Sequence, residues 1–167
     1  MDDRGNISDL TGPVTVPEPP RGMYPARLDD KGRLKLPTVF QQYFNSFPEG
    51  KLFITSLDGR IGQIYSIAAW RENEKFLRGY REDPAAVQDL LFNAQDLGAE
   101  AEMDSQGRVT VNSELRKELD LQGQELHLFA YKNHVQILTE AIYQERKQRA
   151  RPRGAEVFNK LEGAGLC

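Results

Sequence analysis

Cysteine is all but missing from this chain. The single thiol, Cys167 at the last of 167 positions, has no partner for an intrachain disulfide and supplies no Cys-rich metal cluster. A reducing compartment suits such a chain. Histidine is nearly as scarce. His127 and His134 stand seven residues apart, and packing or exposed strand positions account for them better than metal ligation. Long apolar runs are absent: none approaches the roughly 18 residues of a membrane span, and the acidic, Pro-rich beginning does not read as a signal peptide. The expected location is the cytoplasm. A dominant charge is lacking too. Lys and Arg number 22 against 25 Asp and Glu, so bulk charge does not announce a nucleic-acid binder and its distribution must decide. With 39% apolar and 28% charged residues, the chain is globular rather than disordered.

What is present is a repeat. Residues 27–36 and 102–111 share one frame: apolar, Asp, two polar residues, Gly, Arg, then apolar–polar–apolar. Asp29 matches Asp104, Gly32 matches Gly107 and Arg33 matches Arg108, at a single offset of 75. Two halves of this size bury small cores and are marginal alone, so each needs the other or further subunits.

The flanking sequence repeats as well. Residues 1–20, rich in Pro and Gly, read as a mobile arm. Tyr24, Ala26 and Leu28 alternate as a strand into the first turn; Leu34 and Leu36 resume the alternation beyond it. Pro37 ends that strand and Thr38 is placed to cap a helix carrying Val39, Phe40, Tyr43, Phe44 and Phe47. Strands follow over 52–55 and 61–65. Residues 67–97 read as two helices, the second opened by Asp83-Pro84 and ended by Gly98. Residues 72–104 hold nine acidic and three basic side chains, a poor phosphate-binding surface. The second half repeats strand, turn, strand, short helix around Leu115 and Leu119, and strands at 126–130 and 135–138. From Thr139 a polar helix is expected to end near Pro152, with a frayed remainder. The implied fold class is mainly β with short helices (α+β), a pseudo-twofold pair of intertwined units joined by helices. The divisions are 1–20, 21–71, 72–98, 99–144 and a basic, flexible tail over 145–167.

Each turn Gly supplies the positive φ of a tight turn, and each Asp can accept from turn amides or pair with the Arg four residues on. Asp29, Gly32, Asp104 and Gly107 are thus structural. The cations carry the functional reading. Arg21, Arg27, Lys31, Arg33 and Lys35 face only Asp29 and Asp30, a net +3 over residues 21–35 in a chain of net −3. A planar Arg on a rigid turn can bridge phosphate or pair bidentately with guanine, and a two-stranded ribbon fits the major groove. The plainer alternative is a solvated polar face. The basic run 146–153 is a second candidate surface, read first as a solvated end.

These residues carry a resemblance. Arg21-Gly22, the run from Leu28 to Pro37, and Met103-Asp104-Ser105-Gln106-Gly107-Arg108-Val109 resemble the MraZ family of bacterial transcriptional regulators. The resemblance covers roughly residues 21–144. It implies two SpoVT/AbrB-like swapped-hairpin units per chain, a cytoplasmic and nucleoid-associated protein, a ring-forming homo-oligomer, and binding to short direct repeats in double-stranded DNA upstream of a cell-division and cell-wall gene cluster. It implies a DNA contact for Arg33, with Arg108 as its counterpart. Departures exist. Asn112 stands opposite Pro37, Gln41 replaces an Arg frequent in the family while Arg116 is kept, and the second motif lies among Glu100, Glu102, Glu114 and Glu118. These changes place the expected DNA contact mainly on the first copy.

Two rival classes stand beside this reading. Asp29, Asp30, Asp58 and Asp104 are the candidate acid–base pairs of an enzyme, yet no nucleophile–base set accompanies them, so no catalysis, cofactor, metal or small-molecule substrate is expected. An oligomeric interaction protein with the same scaffold and little DNA binding remains the alternative.

Overall fold

The computed structural model describes residues 17–167; the expected arm over 1–20 lies outside the described residues up to position 16. In chain order the elements are β1 (Tyr24–Ala26), β2 (Arg33–Lys35), α1 (Thr38–Asn45), β3 (Lys51–Thr55), β4 (Gly62–Ser66), α2 (Ile67–Gly79), α3 (Pro84–Leu97), β5 (Ala99–Glu102), β6 (Arg108–Thr110), α4 (Ser113–Leu119), β7 (Leu126–Tyr131), β8 (His134–Leu138) and α5 (Glu140–Gly163). Local chemistry accounts for most boundaries. Asp83 accepts from Ala86 N at 3.1 Å and precedes Pro84 in the first helical position. Ser66 and Thr139 cap α2 and α5 in the same way. At α1 the cap is Pro37, one residue before the expected Thr38, and its carbonyl accepts from Phe40 N and Gln41 N.

The strands exchange partners between the two halves. β1 pairs not with β2 but with β7, and β5 pairs with β3, giving a six-stranded antiparallel sheet in the order β1-β7-β8-β4-β3-β5. β2 pairs with β6 in a separate two-stranded ribbon. Between β1 and β2 an isolated Leu28–Leu34 bridge takes the place of a hairpin ladder. Leu34 faces Val109 at the centre of the ribbon, and Gln63 faces Gln136 in the middle of β4–β8. Both are counterpart pairs in the repeat, so one pseudo-twofold axis runs through both.

The crossing makes a single core. Leu34, Leu36, Phe40 and Phe44 from the first half pack with Val109, Val111, Leu115 and Leu121 from the second, along with the inward side chains of the sheet. A smaller cluster of Phe53, Tyr65, Ile67, Trp70 and Ala94 lies where α2 and α3 cover the first half's hairpin. There the buried Thr55 hydroxyl donates to the Ala94 carbonyl at 2.7 Å.

The C-terminal segment departs from expectation. α5 continues through Pro152 to Gly163, with none of its residues buried. Proline removes one helical hydrogen bond, but on an exposed helix water can satisfy the freed carbonyl. No helix among the described residues is long and apolar enough to cross a membrane.

Candidate nucleic-acid interface

Each turn is a closed hydrogen-bonded loop. Asp29 N donates to Arg33 O at 2.9 Å and Gly32 N to Asp29 O at 3.0 Å. Asp104, Gly107 and Arg108 reproduce these bonds at 2.9 and 3.0 Å. The Asp carboxylate divides its oxygens. Oδ1 of Asp29 accepts from Lys31 N and Arg33 N, and Oδ2 accepts from Arg33 Nε at 2.7 Å. Asp104 does the same with Gln106 N, Arg108 N and Arg108 Nε, the last at 2.8 Å. These bonds favour the ionised acid, the Arg backbone amide most and the guanidinium next. They hold Asp29 below the usual carboxylate range and Asp104 at about 2.

The brace orients each arginine. It engages the guanidinium through Nε. Neither Arg33 nor Arg108 makes a hydrogen bond through its Nη groups to the described residues, so the outer edge of the fork is open to another acceptor. Both side chains are about three-quarters buried, at 29% and 26% exposure, which limits their rotamers before any ligand arrives.

Strand exchange then joins the two turns. In the ribbon Arg33 stands opposite Thr110 and Lys35 opposite Arg108, while Leu34 and Val109 point into the core. Arg33, Lys35 and Arg108 therefore share the outward face. Leu36 N donates to Gly107 O at 3.0 Å and Val111 N to Gly32 O at 2.9 Å, so each turn is tied to the opposite strand. Lys35 Nζ donates to the Gln106 carbonyl of the other turn. The two motifs, 75 residues apart in the chain, are one surface. The glutamates around the second motif are partly engaged elsewhere: Glu100 pairs with Lys51 at 3.7 Å on β3, and Glu114 with Lys117 at 3.8 Å.

The remaining expected residues are spread out. Lys31 is exposed at the tip of the first turn. Arg27 is exposed and shares a shallow cleft with Lys35, Pro37, Thr38 and Glu125. Arg21 is not brought to the ribbon. It lies before β1, in a cleft shared with Phe129, Ala130 and Lys132. There it pairs with Glu18 at 2.5 Å.

Arg116 and Gln122 were not among the expected site residues. The Arg116 guanidinium lies over Gly32 of the other half, its Nε donating to Val111 O at 3.1 Å and Nη1 to Gln122 Oε1 at 3.4 Å. Gln122 Nε2 in turn donates to Asp29 O at 2.7 Å. By the twofold, Gln41 lies over Gly107 and donates to Leu36 O at 2.7 Å. The first turn is thus backed by a cation and the second by a neutral amide. The signal was present in the Gln41/Arg116 mismatch, but a linear repeat does not say that each residue serves the opposite turn.

Fold and turns together define a class: a single-chain α+β pair of similar, strand-exchanged units whose braced arginines meet on one ribbon. Over 146 residues, 87% of its length, the chain is 30% identical to the transcriptional regulator MraZ of Acidobacterium capsulatum, of which it covers 99%. It belongs to the MraZ family of transcriptional regulators. The MraZ regulator of Koribacter versatilis is 34% identical over 105 residues, covering 62% of this chain and 71% of that protein. The one from Heliobacterium modesticaldum is 28% identical over 143 residues, 84% and 94% of the two chains. No family model matches.

Proposed function

We propose that this chain regulates transcription by binding double-stranded DNA through the outward face of the β2–β6 ribbon. The observation that carries the reading is the convergence of Arg33, Lys35 and Arg108 on that face, with each guanidinium pinned through Nε and its Nη groups without a hydrogen bond to the described residues. A two-stranded ribbon matches the major groove, and the open fork matches guanine or phosphate. Arg33 and Arg108 contact base edges or phosphate; Lys31, Lys35 and Arg27 contact the flanking backbone. Arg21 adds at most a peripheral phosphate contact. The protein works in the cytoplasm on the nucleoid, without a small-molecule substrate.

One ribbon binds weakly, and the family resemblance implies a target of several sites: short promoter direct repeats in the cell-division and cell-wall cluster, engaged by a ring-shaped homo-oligomer. Linking the sites raises overall avidity by roughly 10²-fold or more. Surface chemistry supports assembly. At 100° per residue, Arg146, Arg149, Arg153, Val157 and Leu161 fall on one face of α5, basic and then apolar. Helix α3 carries Asp89 and Asp96 and no basic side chain, and the α2–α3 pair exposes Phe76 and Phe92 at 66% and 68%. Head-to-tail docking of these unlike faces would build a ring where the rotation closes.

The test is binding of Arg33→Ala to duplex DNA from the native promoter at several salt concentrations. The expected result is a tenfold or greater loss of affinity. Unchanged affinity in a folded variant overturns the assignment.

A further inference from the structure

Outside the ribbon, strand β7 and the start of α5 bring together a side-chain set that sequence spacing conceals. Glu125, His127 and Glu140 each present one donor atom, and these atoms lie within 4.8 Å of one another. His127 lies in β7 and Glu125 immediately before its first residue; Glu140 is the first residue of the helix. His127 Nε2 meets Glu140 Oε2 at 2.5 Å, and the imidazole stacks on Tyr143 with centroids 3.7 Å apart. Glu140 is itself positioned. Its Oε1 accepts from Gln144 Nε2 at 2.8 Å, and its backbone N donates to Gln124 Oε1 at 3.1 Å.

The pseudo-twofold supplies a built-in comparison. The registers of β7 against β1 and of β3 against β5 make Leu126 the counterpart of Leu52 and His127 that of Phe53. The paired caps Thr139 and Ser66 make Glu140 the counterpart of Ile67 and Tyr143 that of Trp70. The first half thus holds Lys51, Phe53 and Ile67 where the second holds Glu125, His127 and Glu140. It stacks Phe53 on Trp70 at 4.7 Å where the second stacks His127 on Tyr143. Packing alone is met by an apolar pair and an isoleucine. The second half keeps a ring pair but makes one ring an imidazole and both flanking positions, Glu125 and Glu140, carboxylates.

We propose that Glu125, His127 and Glu140 form a binding site for a divalent transition-metal ion of the zinc class, completed by water. One imidazole and two carboxylates are a borderline-hard donor set suited to Zn²⁺. A tetrahedral shell with bonds near 2.0 Å places ligand atoms about 3.3 Å apart. The exposed Glu125 and half-exposed Glu140 reach that spacing by side-chain rotation, with the His127–Glu140 hydrogen bond opening to admit the ion. Gln144 remains on the second oxygen of Glu140 as an outer partner. The ion would fasten the first turn of α5 to β7.

Calorimetric titration of the full chain with Zn²⁺ tests this, in a Cys167→Ser background that removes the exposed thiol. The expected result is one ion per chain, with affinity reduced tenfold or more by His127→Gln and by Glu140→Gln and unaffected by His134→Gln. Thermal unfolding provides a second readout, since a bound ion raises the midpoint by mass action. The exposed Glu125→Gln variant keeps the fold and should lose most of that rise. No binding, or equal affinity in all variants as for adventitious surface binding, overturns the site.

Discussion

Gly32 has φ +76°, and an added Cβ would lie 2.5 Å from Arg116 Cζ. Gly59 has a similar φ of +71° but nothing within 4 Å. An L-residue in that region costs roughly 1–2 kcal/mol. Gly59→Ala should therefore show that cost alone. Gly32→Ala should lose more stability in denaturant titration, because Arg116 must also leave its place. Equal losses would show that the Arg116 buttress carries no weight. Two titrating groups each cost stability as pH falls, in separate windows. Asp104 titrates near 2 in the fold against an ordinary 3.8, so the stability it lends is complete above about pH 4 and is lost as pH falls through 2. Asp104→Asn should flatten the acid limb of the unfolding profile there. His134 is pushed down to about 4 by burial between strands and next by the charge of Lys132. It faces Tyr65 and Tyr131, with Asn133 and Gln136 at its ring nitrogens. Below pH 6.5 the unfolded chain takes up a proton that the folded chain refuses, so stability declines from about 6.5 to about 4. His134→Gln should remove that part of the decline; parallel thermal midpoints for both proteins from pH 7.5 to 4.5 would contradict it.

At the scale of elements, the ribbon is the weakest-looking and most consequential piece. β2 and β6 have three residues each, yet Leu34 and Val109 at their centre are fully buried. Leu34→Ala should cost about 2–5 kcal/mol, measured by denaturant unfolding, and should loosen both turns because both are tied across the ribbon. The sequence made these elements legible where the signal is local. Asp83-Pro84 and Gly98 bound α3, and alternation marks the strands on either side of each turn. Partnership was less legible. Whether Tyr24–Ala26 pairs with its neighbour or with a strand 100 residues on depends on burial across the whole chain. Pro152 misled for the opposite reason: a local breaker rule does not count the run of helix-compatible residues beyond it.

At the scale of the molecule, the exchange of strands changes the electrostatic picture. Read along the chain, Arg33 stands among cations and Arg108 among glutamates. Folded, Arg108 lies opposite Lys35, and Arg116 from the second half backs the first turn. The duplicated turn is one composite surface, and its two halves are unequal chiefly in what lies behind them. The direct measurement is the salt dependence of binding to a duplex carrying the promoter repeats, compared among the native chain, Arg33→Ala and Arg108→Ala. A composite ribbon predicts that each substitution weakens binding tenfold or more and, where the lost contact is to phosphate, lowers the slope of log affinity against log salt by about 1. Arg33→Ala and Arg108→Ala chains that fold normally and bind with native affinity and slope would contradict it.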